Sequence, residues 1–182
     1  MYQDTQIKKI EVDITIEDLV AFNRYVAQRS PQIKRGYQVT LFIVPVALLV
    51  IAALLHKTFP TLIYIEAIFG ILWLVAFPRF YWRLMDNNVK RVLNEGQNKG
   101  VLGKHMITIS EQGLHETTEV NVSQFAWTGF DRVERNEQYI FAFISAVMAH
   151  IIPIRAFSDS NQANEFYSAM KNYIEQAKQP IT

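Results

Sequence analysis

The residues that could do metal or acid–base chemistry are four histidines, His56, His105, His115 and His150, and three nearby acids, Glu111, Glu116 and Glu119. A local zinc site shows itself as ligands at short, fixed spacings. These histidines are too widely separated for that, and the sequence leaves open whether His105 and His115 converge across a hairpin. They are expected to be ordinary polar positions on strands. The glutamates are expected on a solvated edge and turn, because nothing between them supplies a recognisable acid and base pair. The chain carries no Walker loop, dinucleotide glycine fingerprint, nucleophile elbow or HExxH helix. It also has no cysteine, which excludes thiolate catalysis, Cys-ligated zinc and a disulfide scaffold. The expectation is a non-enzyme with no catalytic residue, metal or cofactor.

Three further residues stand out. Glu66 is the one acid inside an otherwise apolar run, where it can protonate, reach toward a turn, or pair with His56 or Lys57. Trp127 is expected in a core, as a large aromatic within an alternating stretch, with a ligand platform as the alternative. Arg155 is expected either to anchor Asp131, Glu134 or Asp159 or to bind an acidic partner.

The elements that must position these residues are organised around 37–78. Two apolar runs, Tyr37 to Leu55 and Thr61 to Phe77, are separated by His56-Lys57-Thr58-Phe59-Pro60, the pattern of two antiparallel helices joined by a tight turn. The first run has no charged residue. At about 1.5 Å per residue it spans about 28 Å, close to the hydrocarbon thickness of a bilayer. Segments apolar all round need either lipid or a thick polar-faced shell, which the rest of the chain does not supply. A transmembrane hairpin is therefore expected. Aromatic residues gather near its ends, as at a headgroup boundary, and Ala52, Ala53, Ala67 and Gly70 allow close helix contact.

Positive charge sets the orientation. Arg24, Arg29, Lys34 and Arg35 precede the first run, and Arg79, Arg83, Lys90 and Arg91 follow the second, whereas the turn holds only Lys57. Both termini are expected in the cytoplasm, with these basic residues serving topology or touching lipid headgroups. A net charge of +1 gives no case for nucleic acid.

On either side of the hairpin the period changes. Ile10, Val12, Ile14 and Ile16 alternate with polar residues, predicting a strand with one buried face that needs a sheet to join. Thr15 to Asp18 resembles a capping box opening a short helix, which Ser30-Pro31 ends. Residues 79–94 are expected to continue the second helix, and Gly96, Gly100 and Gly103 to break it. From Lys104 the pattern is extended, with Gly113 suited to a positive-φ turn. Tyr139 to Ile154 is greasy enough to be weighed as a third span. Its shortness, β-branched and aromatic content, His150 and Pro153 favour two buried strands. Ala163, Phe166, Met170, Tyr173 and Ala177 define a final amphipathic helix, capped by Ser158 or Asp159, that closes the sheet. The predicted divisions are 1–36, 37–78, 79–103 and 104–182.

Thr15-Ile-Glu-Asp-Leu-Val-Ala-Phe-Asn before two spans, then Leu102-Gly-Lys-His-Met-Ile-Thr-Ile, Gly113-Leu-His-Glu-Thr-Thr, Trp127 and Ile152-Pro-Ile-Arg-Ala-Phe157 resemble the YcxB-like family of small bacterial membrane proteins. The resemblance runs along nearly the whole chain. It implies a two-span anchor and a C-terminal domain of undefined biochemical role, with no family catalytic residue to carry across. An antiparallel sheet closed by one helix is also similar to bacterial PH-like domains, an analogy of fold alone. The expected class is an α+β membrane protein, with a transmembrane hairpin and a small PH-like antiparallel β domain closed by a C-terminal helix.

The expected role is a multi-pass protein of the bacterial inner membrane whose cytoplasmic module binds a protein partner or orders itself against the bilayer. The alternative is a small transporter component, in which a homo-oligomer builds a pathway using Glu66.

Overall fold

A computed structural model describes residues 7–95, 98 and 100–179. Gly96 and the ends of the chain lie outside the described residues. In chain order the elements are β1 (Lys8–Ile14), α1 (Ile16–Arg29), α2 (Pro31–Leu55), α3 (Leu62–Asn94), β2 (Gly103–Ser110), β3 (Gly113–Thr117), β4 (Val122–Phe125), β5 (Arg132–Arg135), β6 (Tyr139–Phe143), β7 (Ala149–Pro153) and α4 (Ser160–Ala177). Single 3-10 turns at Trp127–Gly129 and Ile154–Ala156 join β4 to β5 and β7 to α4. The chain forms two units. One is a sheet unit, made of the chain up to Phe22 and again from Leu93, and the other is a helical unit, Asn23–Val92.

In the sheet unit, β1-β2-β3-β4 form a four-stranded antiparallel sheet and β5-β6-β7 a three-stranded one. Alternation decides the facing of β1: Ile10, Val12 and Ile14 are buried while Lys9, Glu11 and Asp13 are exposed. Ile10 lies opposite Ile107 and Val12 opposite His105, so the buried rows of β1 and β2 coincide. The pairing ends at Ile14 opposite Gly103, and the whole of 15–102 leaves and returns at that point. Gly103 takes a φ of 96° there, a conformation open to glycine.

Gly113 closes the β2–β3 turn with φ 146°, as its sequence context predicts, and a Cβ at that position would sit 2.2 Å from the Phe125 carbonyl oxygen. Tyr139 to Phe143 is buried throughout and pairs with β7, so the greasy stretch Tyr139 to Ile154 is two strands and a turn, not a span. Asp159 caps α4 by accepting from the Gln162 N–H. Ala163, Phe166, Met170 and Ile174 are buried on this helix, and α4 packs on β5 and the Trp127 turn.

In the helical unit, α2 begins at Pro31, capped by Ser30, six positions ahead of the apolar run. Proline suits this first-turn position because its missing N–H would be unpaired there anyway. The second apolar run and the basic segment after it form one continuous helix, α3. The two helices meet through small or flat surfaces: Gly70 approaches Pro45, and Tyr37 packs on Phe77 and Tyr81 with ring centroids 5.7 and 5.0 Å apart. Both helices are long and apolar enough to cross a membrane. Neither is a buried core helix: Pro45 and Ala52 are the buried residues of α2, and Gly70 and Phe77 those of α3, while Phe42, Leu54, Ile68 and Leu72 are exposed.

Candidate functional site

Three polar arrangements could serve function, two in the sheet unit and one in the helical unit. The first is built on Asp18. Thr15 and Asp18 form the expected capping box, with the Thr15 N–H donating to Asp18 Oδ2 at 2.8 Å and the Thr15 hydroxyl at 3.0 Å. The carboxylate, only 1% exposed, also accepts from the Tyr139 hydroxyl at 2.9 Å. Arg155 then donates to Oδ1 at 2.7 Å and to Oδ2 at 2.5 Å, and to the Asp13 carbonyl at 2.9 Å. Burial raises the carboxyl pKa, but the Arg155, Thr15 and Tyr139 donors outweigh it and hold Asp18 below the usual carboxylate range. The partner of Arg155 is thus Asp18, and not Asp131, Glu134 or Asp159. Asp131 and Glu134 are engaged by Arg132 instead. This cluster ties the turn after β7 to the start of α1.

The second arrangement overturns the reading of Glu116 as a solvated edge residue. Glu116 lies opposite Ile107 and two positions from Leu114, on the inward face of β3, and its side chain is 18% exposed. His105 Nδ1 donates to Oε1 at 2.8 Å, and His150 Nδ1, from the other sheet, lies 3.0 Å from Oε2. The His150 ring is packed against Phe125 and Phe130, with centroids 4.5 and 5.8 Å away. Burial pushes the Glu116 pKa up, yet the two imidazoles bring it down from 4.5 to about 2. His105 and His150 are therefore not ordinary strand polarity, and His105 meets Glu116 rather than His115. Both Nε2 atoms are buried without a hydrogen-bond partner among the described residues. No group of three or more His, Asp or Glu among the described residues is placed to hold a metal ion. The arrangement reads as a polar strut between sheets.

Trp127 is buried, donates its indole N–H to the Ser110 carbonyl at 2.8 Å and stacks on Tyr173 of α4 at 5.3 Å. Its contacts are those of a core residue.

The third arrangement is an open groove of about 790 Å3 between α1 and the basic part of α3, lined by Arg24, Arg79, Phe80, Arg83, Asp86 and Lys90 among others. Arg79, Arg83, Asp86 and Lys90 recur at steps of four, three and four, which aligns them on one stripe of α3. Asp86 is engaged by Arg24, whose Nε donates to Oδ1 at 2.7 Å and whose terminal nitrogen meets Oδ2. Lys34 belongs to a neighbouring slot of about 340 Å3 walled by Tyr37, Tyr81 and Trp82. Arg35 and Arg91 line neither. Glu66 is half-buried on α3, without a hydrogen bond or ion pair to His56 or Lys57 among the described residues, and His56 instead approaches the Ala53 carbonyl at 2.7 Å.

Sequence reasoning named Arg79, Arg83 and Lys90 but missed that Arg24 joins them. It also missed Asp18 as the partner of Arg155, and the Glu116 strut. The strut had a usable signal, since Glu116 shares the parity of Leu114.

The chain is thus an α+β protein, two antiparallel sheets and a closing helix with two long apolar helices inserted between the first two strands. Residues 109–170 match the model of the YcxB-like protein family, the family its motifs resemble. The matched stretch runs from the end of β2 into α4 and leaves the helical unit outside it. No curated protein and no solved structure matches the chain.

Proposed function

We propose that the chain is a membrane-anchored binding module, without catalytic chemistry of its own, in the bacterial inner membrane. The observation that carries this reading is the placement of two long helices with exposed apolar surfaces between two strands that pair directly. Because Ile14 lies opposite Gly103, both ends of 15–102 lie on the same side of any membrane. The segment then crosses an even number of times, and two apolar helices supply the pair of crossings. The excess of Lys and Arg flanking the helices over the turn supports a cytoplasmic side for the sheet unit and both termini.

Seven strands in antiparallel sheets of four and three, followed by a helix, support a PH-like fold with the anchor carried in its first strand connection. Its recognition surface is the free edge of β4, which pairs only with β3 among the described strands and carries Val122 at 72% exposure. A cytoplasmic protein segment adding as a strand there would gain main-chain hydrogen bonds, with side-chain pockets setting specificity. Extraction of membranes with alkaline carbonate tests the anchor: the chain stays with the lipid pellet, and release into the supernatant refutes the reading.

A second reading follows from Glu66, a half-buried acid on an apolar helix. In a homo-oligomeric transporter it would carry the ion or proton step. Glu66→Gln separates the two: a folded variant that has lost only a transport activity favours the pathway, and unchanged partner binding favours the module.

A further inference from the structure

We infer that the groove between α1 and α3 is a binding site for the phosphate of an anionic phospholipid, an inference that rests on the membrane reading above. Four cationic side chains, Arg24 of α1 and Arg79, Arg83 and Lys90 of α3, line the groove together with one acid, Asp86 of α3. The acid is occupied. Arg24 holds both of its oxygens in a fork-on-carboxylate pair, which leaves the groove with a formal excess of positive charge supplied by α3. Arg79 is braced along its own helix by donating to the Val75 carbonyl at 3.1 Å, and Arg83 is exposed, with no polar partner among the described residues. An arginine pair at this spacing offers planar donors for phosphate oxygens.

The source of the phosphate follows from what adjoins the groove. The apolar stretch of α3 ends at Pro78, so Arg79 stands where hydrocarbon gives way to headgroups. The exposed ring of Phe80 and the indole of Trp82 lie at that same level, where amphipathic rings settle. Trp82 and Gln28 also line the neighbouring slot, whose other walls include Ile33, Tyr37 and Tyr81. A cationic groove adjoining an aromatic slot, with Trp82 and Gln28 lining both, fits a molecule with an anionic head and an apolar body. A soluble anion has no use for the slot.

The test uses the full chain in neutral detergent, with lipid binding titrated by native mass spectrometry against phosphatidylglycerol, phosphatidylcholine and inorganic phosphate. Phosphatidylglycerol is expected to bind best, and Arg79→Gln and Arg83→Gln each to weaken it about fivefold, about thirtyfold together. Lys57→Gln, at the far turn, is the control and leaves binding unchanged. Equal binding of the two lipids, unchanged phosphatidylglycerol affinity in the folded double variant, or inorganic phosphate competing at parity each overturns the site. Failure of the anchor itself is read separately, as recovery of the chain in soluble form without detergent.

Discussion

Arg155 places two donors on the buried carboxylate of Asp18 from 137 positions away. The acid belongs to the cap of α1 and the base to the turn after β7, so this pair closes the sheet unit where its first and last strands approach. Replacing Asp18 with Asn leaves Arg155 without its counter-charge and Tyr139 with a weaker acceptor. The expected cost is about 2 kcal/mol, below the full value for a buried ion pair because the Arg155 side chain is half exposed to screening solvent. Chemical denaturation of the full chain in detergent checks it, and a loss under about 0.5 kcal/mol would refute the role. The Asp18 pKa is depressed in the folded state, so its contribution is present above the ordinary value of 3.8 and fades as pH falls below it.

Glu116 gives a second acid-dependent term. Its folded pKa of about 2 lies below the ordinary 4.5, so the strut stabilises fully above about pH 4.5 and loses that contribution as the pH drops toward 2. Glu116→Gln is expected to cost about 1–3 kcal/mol at neutral pH, since both buried imidazoles lose a charged acceptor and one of them is left facing an amide NH2. It should also flatten the stability profile across that acid window. A variant whose stability still falls as steeply as the parent's in that range would show that other carboxylates set the acid limb.

The β2–β3 turn predicts a backbone effect. Gly113→Ala puts a methyl against the Phe125 carbonyl at a distance no van der Waals contact allows and holds an L side chain at φ 146°. A loss on the order of 3 kcal/mol is expected in a thermal or denaturant melt. Gly36→Ala is the comparison, because nothing lies within 4 Å of its added carbon; equal losses at both sites would contradict the close approach.

Much of this architecture was legible along the chain because it is written in local period. The alternation of Ile10, Val12 and Ile14 and the three-and-four spacing of Ala163, Phe166, Met170 and Tyr173 each name an element without reference to anything distant. Gly113 could be read for the same reason: a turn imposes its own geometry. What escaped were partners. Asp18 looked like a helix cap and is one, but nothing near it in sequence announces Arg155. Glu116 lay among exposed acids, and only its parity with Leu114 separates it from Glu111 and Glu119. Nothing near Arg24 or Asp86 in sequence announces the bond joining them, which depends on how α1 and α3 pack.

Trp127 carries the link between the strands and α4. Trp127→Phe keeps the stacking on Tyr173 but takes the indole donor from the Ser110 carbonyl, for about 1–2 kcal/mol. Trp127→Ala removes both, for about 3–5 kcal/mol. Urea melts of the two variants should fall in that order, and equal losses would assign all of the effect to packing.

The anchor is tested most directly by mapping which residues face outward in intact cells. The chain has no cysteine, so single Thr58→Cys, Asn98→Cys and Gln176→Cys variants can be treated with an impermeant thiol reagent without background. The even-crossing argument predicts labelling at Thr58→Cys alone, in the turn between α2 and α3. Labelling at Asn98→Cys or Gln176→Cys as well would place the sheet unit outside or break the two-crossing anchor, and would contradict the account.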